Sequence, residues 1–165
     1  EFGHPEWVDF PREGNNWSYK YARRQWSLAD NQELRFHYLS DFDCEMISLN
    51  TEFKFLDHPW CNLLFENTGD QVLAFERGDL LFVFNFNPNQ SFTDYGIHVP
   101  TGKYKIALDT DDTQFGGFGN VDHTITYFPQ RTGKISGPTQ LKIYLPSRTA
   151  LVFKRVPSLS IYDIE

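Results

Sequence analysis

The chain has 165 residues, 15 Lys+Arg against 22 Asp+Glu for a formal net charge of −7, and 17% aromatic side chains. So many aromatics exclude a disordered chain, two cysteines exclude a disulfide scaffold, and the acid excess argues against nucleic acid or an anionic membrane as partner. The length suits one domain, or one domain with a short extension, and no apolar run approaches the ~20 residues of a membrane helix.

Met46 is the only methionine, so the chain reads as a processed product or a fragment. Residues 1–29 hold Trp7, Trp17 and Trp26, broken by Pro5, Pro11 and Gly14, which predicts ordered loop with a short helical turn near Arg23-Arg24. Residues 30–50 read as one helix. Asp30 with Glu33 gives a capping-box-like start, Leu34, Tyr38, Phe42, Met46 and Leu49 share a face that Leu39 broadens, and Asn50-Thr51 are the expected stop. That stripe needs an apolar surface to pack against. The cysteines, Cys44 and Cys61, fit unpaired residues buried as small hydrophobes in a reducing compartment.

Near residue 58 the hydrophobic period changes to two. Strands are predicted at 62–66, 71–76, 80–86, 95–99, 103–108, 121–127, 140–145 and 150–156, separated by turn residues such as Gly78-Asp79 and Pro146-Ser147. Residues 80–86 are nearly all apolar, with Phe82, Phe84 and Phe86 on one face and Leu81 and Val83 on the other, which predicts a central strand covered on both sides. In 103–108, Tyr104, Ile106 and Leu108 are expected to point the same way. The chain is therefore mainly β, an antiparallel sandwich or barrel of about eight short strands behind a loop and a helix.

Several patterns suggest chemistry and fall short of it. Glu6, Asp9 and Glu13 sit among tryptophans, but a glycosidase needs two carboxylates roughly 5–10 Å apart on a rigid frame, and these share one short loop. His4 with Glu6 and Asp9 lacks a spacing that would converge metal ligands, so no metal and no cofactor is expected. Asp109, Asp111 and Asp112 open like a calcium loop, yet Gln114 and Asn120 stand where Gly and Glu are required. Gly116-Gly117-Phe118-Gly119 has no following Lys-Ser/Thr, and Arg77-Gly78-Asp79 suits a hairpin turn. Asn16-Trp17-Ser18 and Asn89-Gln90-Ser91 match a glycosylation acceptor without a secretory signal beside them. No complete catalytic set is present.

The opening Glu1-Phe2-Gly3-His4-Pro5-Glu6-Trp7, then Asp9-Phe10-Pro11-Arg12, resembles one family. So do Gly14-Asn15-Asn16-Trp17-Ser18-Tyr19, Phe75-Glu76-Arg77-Gly78-Asp79-Leu80, Phe115-Gly116-Gly117-Phe118 and Pro146-Ser147-Arg148-Thr149-Ala150. In their order these blocks resemble the eukaryotic-type 1,4-α-glucan (glycogen or starch) branching enzymes of the α-amylase superfamily. Residues 51–70 and 128–140 match less well. The resemblance implies that residues 1–57 are the end of a β/α barrel (last strand exit, loop, closing helices) and 58–165 an amylase-type C-terminal β-sandwich. It implies a transferase that cleaves an α-1,4 bond and passes the chain to a 6-hydroxyl, with its carboxylates on earlier barrel strands. This chain is then expected to be inert alone. Its partners would be the rest of the barrel and an α-glucan (glycogen, amylose or amylopectin) bound through the whole enzyme, in the cytoplasm or, in a plant or alga, the plastid.

Within such an enzyme Trp7 and Trp17, beside Glu6, Asp9 and Arg12, are the candidate glucan contacts. The competing expectation is that the tryptophans pack the loop down. A stand-alone carbohydrate-binding sandwich is the alternative for the whole, and would show as exposed aromatics among Tyr95, Phe115, Phe118, Tyr127 and Tyr144.

Overall fold

The computed structural model describes residues 2–133 and 137–156; Glu1 of the opening motif and residues 157–165 of the expected β domain lie outside the described residues. Eight strands are found there: β1 (Asn62–Asn67), β2 (Val72–Arg77), β3 (Leu80–Asn85), β4 (Phe92–His98), β5 (Lys103–Asp109), β6 (Gln130–Arg131), β7 (Thr139–Leu145) and β8 (Thr149–Val156). They form a five-stranded sheet in the order β1-β2-β3-β8-β5 and a three-stranded sheet in the order β4-β7-β6, antiparallel throughout. The fold is the expected antiparallel sandwich.

Between the sheets lies a mostly aliphatic core of Ala74, Leu81, Val83, Ile97, Leu141, Ile143 and Leu151, with Tyr104 and Phe153 among them. β7 shows the alternation most cleanly: Leu141, Ile143 and Leu145 are buried, and Lys142 and Tyr144 are exposed. β3 is the middle strand of the larger sheet, as its two-sided apolarity requires. Leu81 and Val83 face the inner core, while Leu80, Phe82 and Phe84 belong to a second cluster on the opposite face. Most phenylalanines of the larger sheet gather there: Phe75 stacks on Phe82 (5.0 Å) and Phe84 (5.9 Å), and Phe84 on Phe86 (5.6 Å).

The cover for that outer face is the long helix. Its start differs from the expectation: α1 is a single turn (Ser27–Asp30), and α2 runs Phe36–Phe53. Asn31 is extended, and its side-chain oxygen accepts the Glu33 N–H (2.9 Å), a local bond that competes with continuing the helix. At the other end α2 passes the predicted stop and closes on Lys54 in the left-handed region, whose N–H reaches the Asn50 carbonyl. The predicted stripe splits. Phe42, Leu49 and Phe53 seat on Leu80, Phe82, Leu108 and Val152, whereas Leu39 and Met46 remain exposed. Cys44 and Cys61 are unpaired but exposed, correcting the expectation of burial; Cys44 lies off the face that Phe42 and Leu49 define.

Two strand expectations fail for one reason, local backbone geometry. Ile106 and Leu108 fall on opposite sides of a bulge in β5, so Tyr104 and Ile106 serve the inner core and Leu108 the outer one. Residues 121–127 make only an isolated bridge from Tyr127 to Tyr104. Asp122 takes the Thr124 N–H (2.8 Å) and hydroxyl (2.6 Å) into a side-chain turn, so Val121 and Tyr127 reach the core without a ladder between them. The small strand β6 follows instead. Further bulges lie in β1 between Leu63 and Phe65 and in β4 between Phe92 and Tyr95.

The glycine-rich loop after β5 is held by buried carboxylates. Asp111 accepts the Phe118 N–H (3.1 Å) and both the backbone N–H (2.9 Å) and side-chain amide (2.8 Å) of Asn120. Gly117 lies so close to Asp111 that a Cβ there would sit 2.2 Å from its carbonyl oxygen. Asp109, 1% exposed, accepts the Asp111 N–H (2.7 Å) and pairs with His123 (2.9 Å), whose other nitrogen is 3.4 Å from Asp112. Burial pushes the Asp109 carboxyl above its ordinary range, against the opposing pull of His123.

Truncating Leu49 to Ala removes a buried side chain beside an existing apolar cavity of about 130 Å³. It should cost about 2–4 kcal/mol in urea melts, and a loss well below 1 kcal/mol would show that α2 does not carry the sheet. A carboxyl with a raised folded pKa holds its proton better in the folded state, so its contribution to stability falls as pH rises through the raised value. The stability of the wild type relative to Asp109→Asn should therefore decline with rising pH over a range that starts at the ordinary carboxylate value and ends at the raised one, then level. A difference that stays flat across that range contradicts the assignment.

Candidate functional site

The N-terminal loop, residues 2–26, carries all the sequence-predicted site residues. Phe2 anchors it: 1% exposed, it lies against Trp26 (5.0 Å) with His4 edge-on (5.8 Å). The Asp9 N–H donates to the Tyr21 carbonyl (3.2 Å) and so ties the two arms together.

Between those arms sits a polar knot. Arg12 donates to both carboxylate oxygens of Asp9, from Nε (3.0 Å) and Nη2 (3.3 Å). Asn15 donates to Asp9 Oδ2 (3.0 Å) and the Phe10 carbonyl (3.0 Å), and its oxygen accepts the N–H groups of Arg12 (2.9 Å) and Ser18 (3.2 Å). Sequence reasoning missed Asn15, although Gly14-Asn15-Asn16 is a turn signal. The Arg12 hydrogen bond first, then that of Asn15, hold the Asp9 carboxyl below its ordinary value.

The knot fixes an unusual backbone. After the single-turn 3-10 helix Glu13–Asn15, both Asn16 (φ 53°) and Trp17 (φ 57°) are left-handed, a conformation that costs roughly 1–2 kcal/mol per non-glycine residue. The Trp17 N–H closes the turn on the Arg12 carbonyl (3.0 Å). Its indole is 66% exposed and that of Trp7 71%, and neither touches another ring among the described residues. Within this chain, then, these tryptophans do not pack the loop down. Phe10 and Tyr19, which sequence reasoning did not single out, are similarly exposed.

Glu6 and Glu13 are exposed, and their carboxylates make no hydrogen bond among the described residues. The structure therefore unites Asp9 with Arg12, gives Trp7 and Trp17 open faces, and leaves Glu6 apart. A doubly donated, ion-paired Asp9 is a poor proton donor, so the loop offers no acid/base pair. His4 approaches the Glu6 carbonyl (3.3 Å), and its Nε2 is buried without a partner beside a cleft of about 240 Å³. Among the described residues no group of three His, Cys, Asp or Glu could hold a metal ion, and no helix is long and apolar enough to cross a membrane.

Comparison with known proteins matches this sequence to a family. The 1,4-alpha-glucan-branching enzyme, chloroplastic/amyloplastic, of Oryza sativa subsp. japonica is 46% identical over 94% of this chain. The 1,4-alpha-glucan-branching enzymes of Equus caballus and Yarrowia lipolytica are 45% and 46% identical, again over 94% of it. The chain spans only 20%, 22% and 23% of these three relatives, respectively. The family model for the alpha amylase C-terminal all-beta domain matches residues 60–156, the stretch that contains every strand of both sheets. A match over more than half the chain, on that two-sheet fold, makes this chain a member of the alpha amylase C-terminal all-beta domain family, with 1,4-alpha-glucan-branching enzymes as its homologues.

Proposed function

We propose that this chain is the C-terminal part of a 1,4-α-glucan branching enzyme, with residues 1–57 closing a β/α barrel and 58–165 forming its β domain. The observation that carries the reading is identity of about 45% running through 94% of the chain, the N-terminal loop and α2 included. A stand-alone carbohydrate-binding module is the weaker reading, since the likeness is not confined to the β domain. The working compartment follows the source, plastid in a plant or alga and cytoplasm otherwise; the rice relative is named chloroplastic/amyloplastic.

The reaction breaks an α-1,4 bond with a carboxylate nucleophile, then moves the glycosyl group to a 6-hydroxyl, with an acid/base group handling the proton. In this chain Asp9 is committed to Arg12 and Asn15, and the family resemblance implies that the reacting carboxylates lie on earlier barrel strands. Its own contribution is to bind. A glucose unit offers an apolar face to an indole and hydroxyls at its rim, which suits Trp7 and Trp17 with the Asp9–Arg12 pair and Glu6 on the same loop. The Asp9–Arg12 pair is already oriented, so little side-chain freedom is lost when sugar arrives.

Two results test this. In the polypeptide that includes the barrel, Trp7→Ala and Trp17→Ala should each raise KM for amylose about three- to tenfold with Tm unchanged. Unchanged KM and kcat, or a lowered Tm with KM intact, would instead make the indoles packing groups. The 165-residue chain alone should leave the iodine absorbance of amylose constant; measurable branching would overturn its assignment as a non-catalytic part.

A further inference from the structure

We propose that the cleft between the β7–β8 turn and the glycine-rich loop is a second α-glucan site, with Phe118 as its platform and Arg148, Ser91, Ser147 and Asn120 as its polar rim. The choice of ligand rests on the proposed function; the existence of the cleft does not.

The cleft measures about 440 Å³ and is lined by those residues together with Pro88, Thr110, Asp111 and Gly117, a size within the range of small-molecule sites. Phe118 is 87% exposed, the most exposed large hydrophobic side chain among the described residues. It is not on a loose loop. Its own N–H is bound by Asp111, and Gly117 beside it lets the chain lie flat on the Asp111 backbone. An apolar ring carried on a fixed backbone and left in water is a surface prepared for a ligand with an apolar face.

The opposite wall is equally fixed. Asn85, 1% exposed, donates to the carbonyls of Gln90 (2.9 Å), Leu145 (3.3 Å) and Pro146 (2.9 Å), locking the β3 exit to the β7–β8 turn. Within that turn the Thr149 hydroxyl donates to the Pro146 carbonyl (2.7 Å), the Ser147 N–H to Ser91 Oγ (3.0 Å) and the Arg148 N–H to the Asn87 carbonyl (3.2 Å). Arg148 is left-handed (φ 57°).

These bonds leave a particular set of groups unused. Both oxygens of Asp111 are taken by the loop, so the cleft presents no free carboxylate. The Arg148 guanidinium has no partner among the described residues. Ser91 accepts but does not donate, the Ser147 hydroxyl makes no bond, and the Asn120 carbonyl oxygen is free. One aromatic face with two hydroxyls, a guanidinium donor and an amide acceptor is the complement of a sugar ring. Phe118 also lines the neighbouring groove of about 720 Å³ that contains Arg35, Tyr38 and Phe115. A ligand crossing the ring would occupy both grooves, which favours a chain of several glucose units over a single one.

The test is amide NMR titration of the 165-residue chain with maltoheptaose, maltotriose and inorganic phosphate. Maltoheptaose should shift the amides of Phe118, Asn120, Ser147 and Arg148 and bind more tightly than maltotriose. Phe118→Ala should weaken maltoheptaose about tenfold, a typical loss for one stacking contact, and Phe118→Trp should restore it. Three outcomes overturn the proposal. Shifts confined to residues 7–21 that disappear in Trp7→Ala/Trp17→Ala leave the first loop as the glucan contact and the proposed function standing. An Arg148 shift with phosphate alone, equal in wild type and Phe118→Ala, makes the cleft an anion site. Finally, no shift at about 20 mM maltoheptaose, far above a useful Kd, rejects the site, while branching by the longer polypeptide still decides the proposed function separately.

Discussion

The structure depends on one strand being apolar on both sides. Residues Leu80–Asn85 cannot lie in an open sheet, because either face left to water would expose large hydrophobic side chains. Leu81 and Val83 are answered by the three-stranded sheet, and Leu80, Phe82 and Phe84 by α2. Each Leu or Phe so buried contributes about 1.5–3 kcal/mol. The helix is therefore part of the β domain's energetics although it precedes it in sequence. Arg77 reinforces this arrangement, its guanidinium donating to the carbonyls of Leu56 (3.0 Å) and His58 (3.1 Å) in the segment between helix and sheet.

Acidic side chains serve a different purpose in the loops. Asp9, Asp109 and Asp111 each organise the chain around themselves, and for Asp9 and Asp109 the pKa directions record how. Asp9 lies near the surface with strong donors, so its charge is favoured; Asp109 lies under the sheet end, so burial opposes its charge despite His123. Neither arrangement leaves a carboxylate free for chemistry. What the loops present to solvent instead is aromatic, at Trp7, Trp17 and Phe118. Neutral, hydroxyl-rich ligands are the partners such surfaces suit.

Much of this was legible from residue order. The central strand follows from its unbroken apolar run and the hairpin from its Gly78-Asp79 turn, while the alternation of β7 follows from period-two patterning, because a half-buried strand has no other way to sort its side chains. Boundaries set by side-chain-to-backbone bonds were not legible: the Asn31 turn that splits the helix, the Asp122 turn that removes a strand, and the β5 bulge that sends Leu108 to the other face. Alternation alone carries no sign of these. The same holds for the site. Glu6, Trp7, Asp9, Arg12 and Trp17 could be named as a cluster, but exposure of the indoles and the pairing through Asn15 depend on two consecutive left-handed residues, Asn16 and Trp17, that no pattern announces.

The bulges have a consequence for how the molecule behaves among its own copies. They fall on β1, β4 and β5, each an outermost strand of its sheet, whereas the interior pairings β2–β3 and β3–β8 run without a break. The remaining outer strand, β6, is two residues long. A second chain adding itself to a sheet needs an uninterrupted row of free N–H and C=O groups, and every rim of this sandwich is either kinked or too short to offer one. Among the described residues, the irregularities that obscured the strand pattern thus work against edge-to-edge growth of a phenylalanine-rich fold into fibres.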